Sequence, residues 1–95
     1  MATLHIEHPI TDFVIWKTAF DRLADARRHA GVRAEQVRRP VHDPNFVVVD
    51  LDFDSADAAD AFLHFLQSSV WTSADAAPAL AGSPETSILV PAPPA

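Results

Sequence analysis

The runs Val32–Val41, VRAEQVRRPV, and Asn45–Phe53, NFVVVDLDF, face each other across the short turn His42-Asp43-Pro44-Asn45, and their reading decides the fold. Both are rich in valine and separated by turn-forming residues, so they read as a hairpin. Successive strand side chains point to opposite sides, so Val47, Val49, Leu51 and Phe53 share one face and Phe46, Val48, Asp50 and Asp52 the other. The wholly apolar face is the one expected to meet helices. Taking Asp43-Pro44 as the turn pairs Arg38 with Val49, Gln36 with Leu51 and Arg33 with Asp54. A slip of one residue would reverse the faces so assigned.

Upstream of the hairpin, Leu4 and Ile6 alternate with Thr3, His5 and Glu7, the period of a half-buried strand that Pro9 closes. Thr11 or Asp12 then caps a helix predicted over 12–30, with Phe13, Trp16, Phe20, Leu23 and Ala24 as its buried stripe. Arg27, Arg28 and His29 complement the negative end of its dipole, and Gly31 stops it. Downstream, Ser55 caps a second helix over 56–70, with Ala58, Phe62, Phe65, Leu66 and Val70 inward. Trp71 to Pro84 reads as a broken turn and loop, 86–90 as the last strand and 91–95, PAPPA, as a flexible tail.

One domain, 1–90, with the order β-α-β-β-α-β follows. Right-handed crossovers put both helices on one face of a four-stranded antiparallel sheet in ferredoxin-like order 4-1-3-2, an α+β fold. The other sheet face is left uncovered, with Phe46 and Val48 on it, and a second sheet packed there makes a homodimer.

Composition narrows the function classes. A chain of 95 residues buries only about 60–65% of its unfolded surface, so its own core is small. The net charge of -6 argues against a nucleic-acid partner, which needs a basic surface to displace counterions. All seven basic residues lie between Lys17 and Arg39, and the eight acids from Asp43 onward meet no Lys or Arg beyond Arg39, so the fold must bring the two halves together. The absence of cysteine removes disulfides and thiolate chemistry. No apolar run reaches the roughly 18–20 residues that span a bilayer, and the N-terminus lacks the layout of a signal peptide, so a cytoplasmic protein is expected.

The pattern EHPITDFVIWKTAFD, then GVRAEQVRRPVHDPNFVVVDLDFDS, then AFLHFL, resembles small members of the dimeric α/β-barrel superfamily over about residues 3–90. It is more loosely similar to antibiotic-biosynthesis monooxygenases, polyketide-cyclase-like proteins and stress-responsive barrel proteins. The resemblance implies that the sheets of two subunits form a barrel and that ligands enter between each sheet and its own helices. The superfamily includes cofactor-free oxygenases, isomerases and haem-binding proteins, and no catalytic motif of any one branch matches here.

The residues supply a short set of candidates. His8 shares its strand side with Leu4 and Ile6, near the mouth of that cleft, and titrates near neutrality, which suits proton transfer. In the expected register Arg38 and Gln36 join it, Arg38 as anion stabiliser and Gln36 as a ligand contact. Trp16, Phe20, Phe62, Phe65 and Trp71 would supply an apolar wall for a flat or aromatic ligand. Each has a plain alternative: a strand-end histidine, an arginine leaning over a sheet edge, aromatics that simply fill a core. His5-Ile6-Glu7-His8 puts His5 and Glu7 on one side and His8 on the other, too few ligands for an ion, so neither a metal nor another cofactor is expected. Two functions remain: a cofactor-independent monooxygenase or cyclase acting on a small aromatic or polyketide-like molecule, or a non-catalytic dimer that binds a small ligand or a protein.

Overall fold

The computed structural model describes residues 1–93, so the last two residues of the expected tail lie outside it. Strands β1 (Ala2–Pro9), β2 (Ala34–Arg38), β3 (Phe46–Phe53) and β4 (Glu85–Leu89) form one antiparallel sheet in the order β2-β3-β1-β4. This is the ferredoxin-like order read from the other edge. Along β1 and β3 burial alternates residue by residue, so Leu4, Ile6, Val47, Val49, Leu51 and Phe53 turn inward against the helices. No helix among the described residues is long and apolar enough to cross a membrane.

The first helix is broken where a single helix was expected. Helix α1 runs Phe13–Arg22 and α2 runs Ala24–Ala30, because Leu23 at φ -93° and ψ 10° leaves helical geometry. Asp12 caps α1 by accepting from the Ile15 amide, and Gly31 ends α2. The segment from α3 (Ala56–Phe65) to Val70 spans the second predicted helix, but its last turn, Leu66–Val70, widens into a π turn. There the Trp71 amide reaches back to the Leu66 carbonyl at 2.8 Å. The inward residues of this element are Ala59, Phe62, Leu66 and Val70, while Phe65 lies at the exposed margin against Phe62.

The hairpin register differs from the expected one by a single residue. Arg38 pairs with Val48, Gln36 with Asp50 and Ala34 with Asp52. The connection is not a tight turn on Asp43-Pro44: the Asp43 amide closes a turn onto the Pro40 carbonyl, and the Asp43 carboxylate takes the Asn45 amide. The loop therefore centres on Asp43, and β2 turns its other side to the helices. Glu35 and Val37 face inward, and Arg38 and Gln36 face away.

Gly31 sits at φ 95°, where any side chain is disfavoured, yet a Cβ there would meet nothing within 4 Å. Gly31→Ala therefore carries only the backbone cost of a left-handed residue, about 1–2 kcal/mol, readable as a lowered urea midpoint with an unchanged slope.

Candidate functional site

A cavity of about 60 Å³ lies between the sheet and the helices. Its floor is Ile6, Val49 and Leu51, its walls are Trp16, Phe20, Phe62 and Leu66, and Trp71, Ala77 and Leu80 cover it. The cover is stitched to the end of β1. Leu80 bridges Ile10, Ala79 O accepts the Thr11 amide at 3.0 Å, and Pro9 O accepts the Ala81 amide at 3.2 Å. The volume has room for a few waters and is well short of the roughly 300 Å³ at which ligand pockets begin. A ring-sized guest therefore requires the lining side chains to move apart.

Two polar side chains break the apolar lining, His8 and Arg27. His8 is only 3% exposed, so it lies beneath the cover rather than at an open rim as its place beside Pro9 suggested. Its Nδ1 is 3.0 Å from the Pro9 carbonyl. A carbonyl can only accept, so Nδ1 carries the proton and Nε2 holds the lone pair. Nε2 has no hydrogen-bond partner among the described residues, and no side-chain nitrogen there is both fully enclosed and unpartnered. Nε2 therefore keeps some accessible surface, on a side chain that lines the cavity. Burial pushes the His8 pKa down, which the Nδ1 bond only partly offsets, and the ring is kept neutral. Trp16 meets the imidazole edge to face at 6.2 Å and stacks on Phe20 at 5.0 Å.

Arg27 is 4% exposed. Its Nε donates to Glu35 at 2.7 Å, Nη1 donates to the Phe20 carbonyl at 2.5 Å, and the guanidinium lies 3.7 Å over the Phe20 ring. The sequence reading gave Arg27 only to the helix dipole. The signal was present, since 16, 20, 23 and 27 continue one helical stripe, but a charged residue was not counted into it.

Of the expected site residues, the structure brings His8, Trp16, Phe20, Phe62 and Trp71 together around the cavity. It does not bring Arg38 and Gln36 there. The register shift puts both on the uncovered face, where Arg38 donates to Asp50 at 2.6 Å. Thr3 donates to Asp52 on the same face at 2.6 Å. There His5 also bridges two carboxylates, Asp50 at 2.7 Å from Nδ1 and Glu7 at 3.0 Å from Nε2. Hydrogen bonds to Glu7 and Asp50 raise the His5 pKa, since both nitrogens are wanted as donors. Among the described residues, no three His, Asp or Glu side chains group as metal ligands.

No protein-family profile matches the sequence, and no curated protein matches it. Solved structures match its fold. An antibiotic biosynthesis monooxygenase superposes with a TM-score of 0.68 at 14% identity, over 98% of this chain and 100% of that one. A protein of unknown function from Nitrosomonas europaea gives 0.68 at 15% identity, over 99% and 94%. A monooxygenase from Streptomyces coelicolor, in complex with the ligand nanaomycin D, gives 0.63 at 15% identity, over 99% and 89%. The likeness to antibiotic-biosynthesis monooxygenases thus holds at the level of fold, across the whole chain.

The two strand histidines should titrate in opposite directions. Starting from 6.5, the His8 midpoint falls and the His5 midpoint rises. For His8 the unfolded chain binds the proton more readily, so its protonation costs stability as pH falls below 6.5. The His5 contribution is full below 6.5 and is lost as pH rises through its folded value. Imidazole C–H resonances followed by NMR should separate the two midpoints in that order, and coincident or inverted midpoints would contradict the assignment.

Proposed function

We propose that the cavity takes a small aromatic or polyketide-like molecule and that His8 removes a proton from it, as a cofactor-independent monooxygenase or cyclase. The observation that carries this reading is the Nε2 lone pair of a neutral, buried imidazole lining an apolar cavity walled by Trp16, Phe20 and Phe62. A carbon acid beside a carbonyl, held flat against those rings, would lose its proton to Nε2. The resulting enolate is nucleophilic carbon. Attack on a carbonyl of the same molecule closes a ring, the alkoxide taking the proton back from His8. Addition of dioxygen instead gives a peroxide that takes that proton and then loses water, leaving one oxygen on the carbon as a carbonyl. The fold shared with an antibiotic biosynthesis monooxygenase and with a monooxygenase carrying nanaomycin D supports the same direction.

We further propose that the protein works as a cytoplasmic homodimer joined through the uncovered sheet face, as the barrel resemblance implies. That face presents Phe46, Val48 and the half-exposed Leu89 around the His5, Asp50 and Arg38 network. A second copy would cover the apolar residues, and the side chains of the network already satisfy one another. The competing function, a non-catalytic binder, draws its support from the small volume of the cavity.

Deuterium exchange at the acidic CH₂ of 2-tetralone, a bicyclic aromatic ketone, separates the two functions. The wild-type protein should bind it and accelerate exchange. His8→Ala should slow exchange at least about tenfold, roughly 1.4 kcal/mol, while His29→Ala on the exposed end of α2 changes little. Binding without exchange would leave the binder ahead, and equal effects of the two substitutions would remove His8 from the chemistry. For the dimer, light scattering at micromolar concentration should give twice the chain mass, and Val48→Asp should halve it. A wild-type monomer, or a Val48→Asp protein of unchanged mass, would exclude this interface.

A further inference from the structure

We infer that the cavity selects an anionic aromatic ligand, a carboxylate or a phenolate, and that Arg27 holds its charged oxygen. The inference rests on reading the cavity as a ligand site, and it adds the charge of the ligand and the residue that reads it.

Arg27 continues the apolar stripe of Trp16, Phe20 and Leu23, and it lines the same cavity. Its bonds to Glu35 and to the Phe20 carbonyl tie it to the fold without using all of its donors. A guanidinium has five N–H donors. Among the described contacts three are committed, Nε and Nη2 to Glu35 and Nη1 to the Phe20 carbonyl, and the Nη2 bond is long at 3.4 Å. One N–H on each terminal nitrogen is left without a partner, on a side chain that forms part of the cavity wall.

The charge of Arg27 is only partly neutralised there. The Arg27 side chain is 5% exposed, whereas its partner Glu35 is 42% exposed on the edge strand β2. Water therefore screens the carboxylate more than the guanidinium, which leaves the guanidinium as the less screened charge beside the cavity. An anionic oxygen would accept from the two uncommitted donors in the paired geometry that guanidinium favours. Phe20 is held between the guanidinium and Trp16, and Trp16 meets His8 edge to face, so stacked rings separate the two polar side chains of the lining. A flat molecule in the cavity would meet the edges of those rings and the apolar floor of Ile6, Val49 and Leu51, with its anionic oxygen toward Arg27.

The test compares two naphthalenes of similar size by isothermal titration calorimetry, 2-naphthoate and the neutral 2-acetylnaphthalene. The wild-type protein should bind the carboxylate at least about tenfold more tightly. Arg27→Gln should abolish that preference while leaving the ketone within about twofold. Glu35→Gln keeps the arginine and removes the competing negative charge, so naphthoate should bind severalfold more tightly and the ketone unchanged. A merely structural arginine predicts no such gain. If Arg27→Gln does not fold, the wild-type preference and the Glu35→Gln gain decide the matter. Binding of both compounds with equal affinity overturns the inference and leaves the ligand site standing, and binding of neither overturns both.

Discussion

The pairing of β1 with β3 is the constraint on which the rest of the molecule depends. These central strands are buried along one face by Leu4, Ile6, Val47, Val49, Leu51 and Phe53, each worth about 1.5–3 kcal/mol when removed from water. The strict alternation that buries Leu4 and Ile6 leaves no choice at the next inward position, which is His8. An imidazole enclosed in this way is tolerated because it stays neutral and donates its single proton to a neighbouring carbonyl. The buried imidazole is thus a by-product of the phase of the strand that builds the core.

The two faces of the sheet handle polar groups differently. On the helix side there are few, and each of His8 and Arg27 retains hydrogen-bonding capacity beside the cavity. On the uncovered side His5, Glu7, Asp50 and Arg38 satisfy one another in a chain of short contacts. The basic first half of the chain meets the acidic second half here and at Arg33 with Asp54. Exposed pairs of this kind are screened by water and add little to stability, so they matter more for register and surface charge.

Most of the architecture was legible because it rests on period. The alternation of β1 and β3, the caps at Asp12 and Ser55 and the stop at Gly31 are local signals, and each is where its chemistry put it. The side assigned to β2 depended instead on how a loop closes. Pro40 and Asp43 organise that loop through one backbone and one side-chain bond, and nothing in composition distinguishes that closure from a tight turn one half-step along. That half-step moved Arg38 and Gln36 out of the cleft. The break at Leu23 and the inward turn of Arg27 were hidden for a related reason: Arg27 is held by the Phe20 carbonyl and by Glu35 across the fold, a partnership that pattern alone does not show.

The Pro9 carbonyl holds both the His8 proton and the Ala81 amide of the segment that roofs the cavity. Two donors on one oxygen compete for the same electron density. The imidazole and the Ala79–Ala81 segment therefore depend on one acceptor. A change that takes the Ala81 amide off the Pro9 oxygen leaves that oxygen a stronger acceptor for the Nδ1 proton and makes the Nε2 lone pair correspondingly more basic, so loosening that segment need not blunt the imidazole.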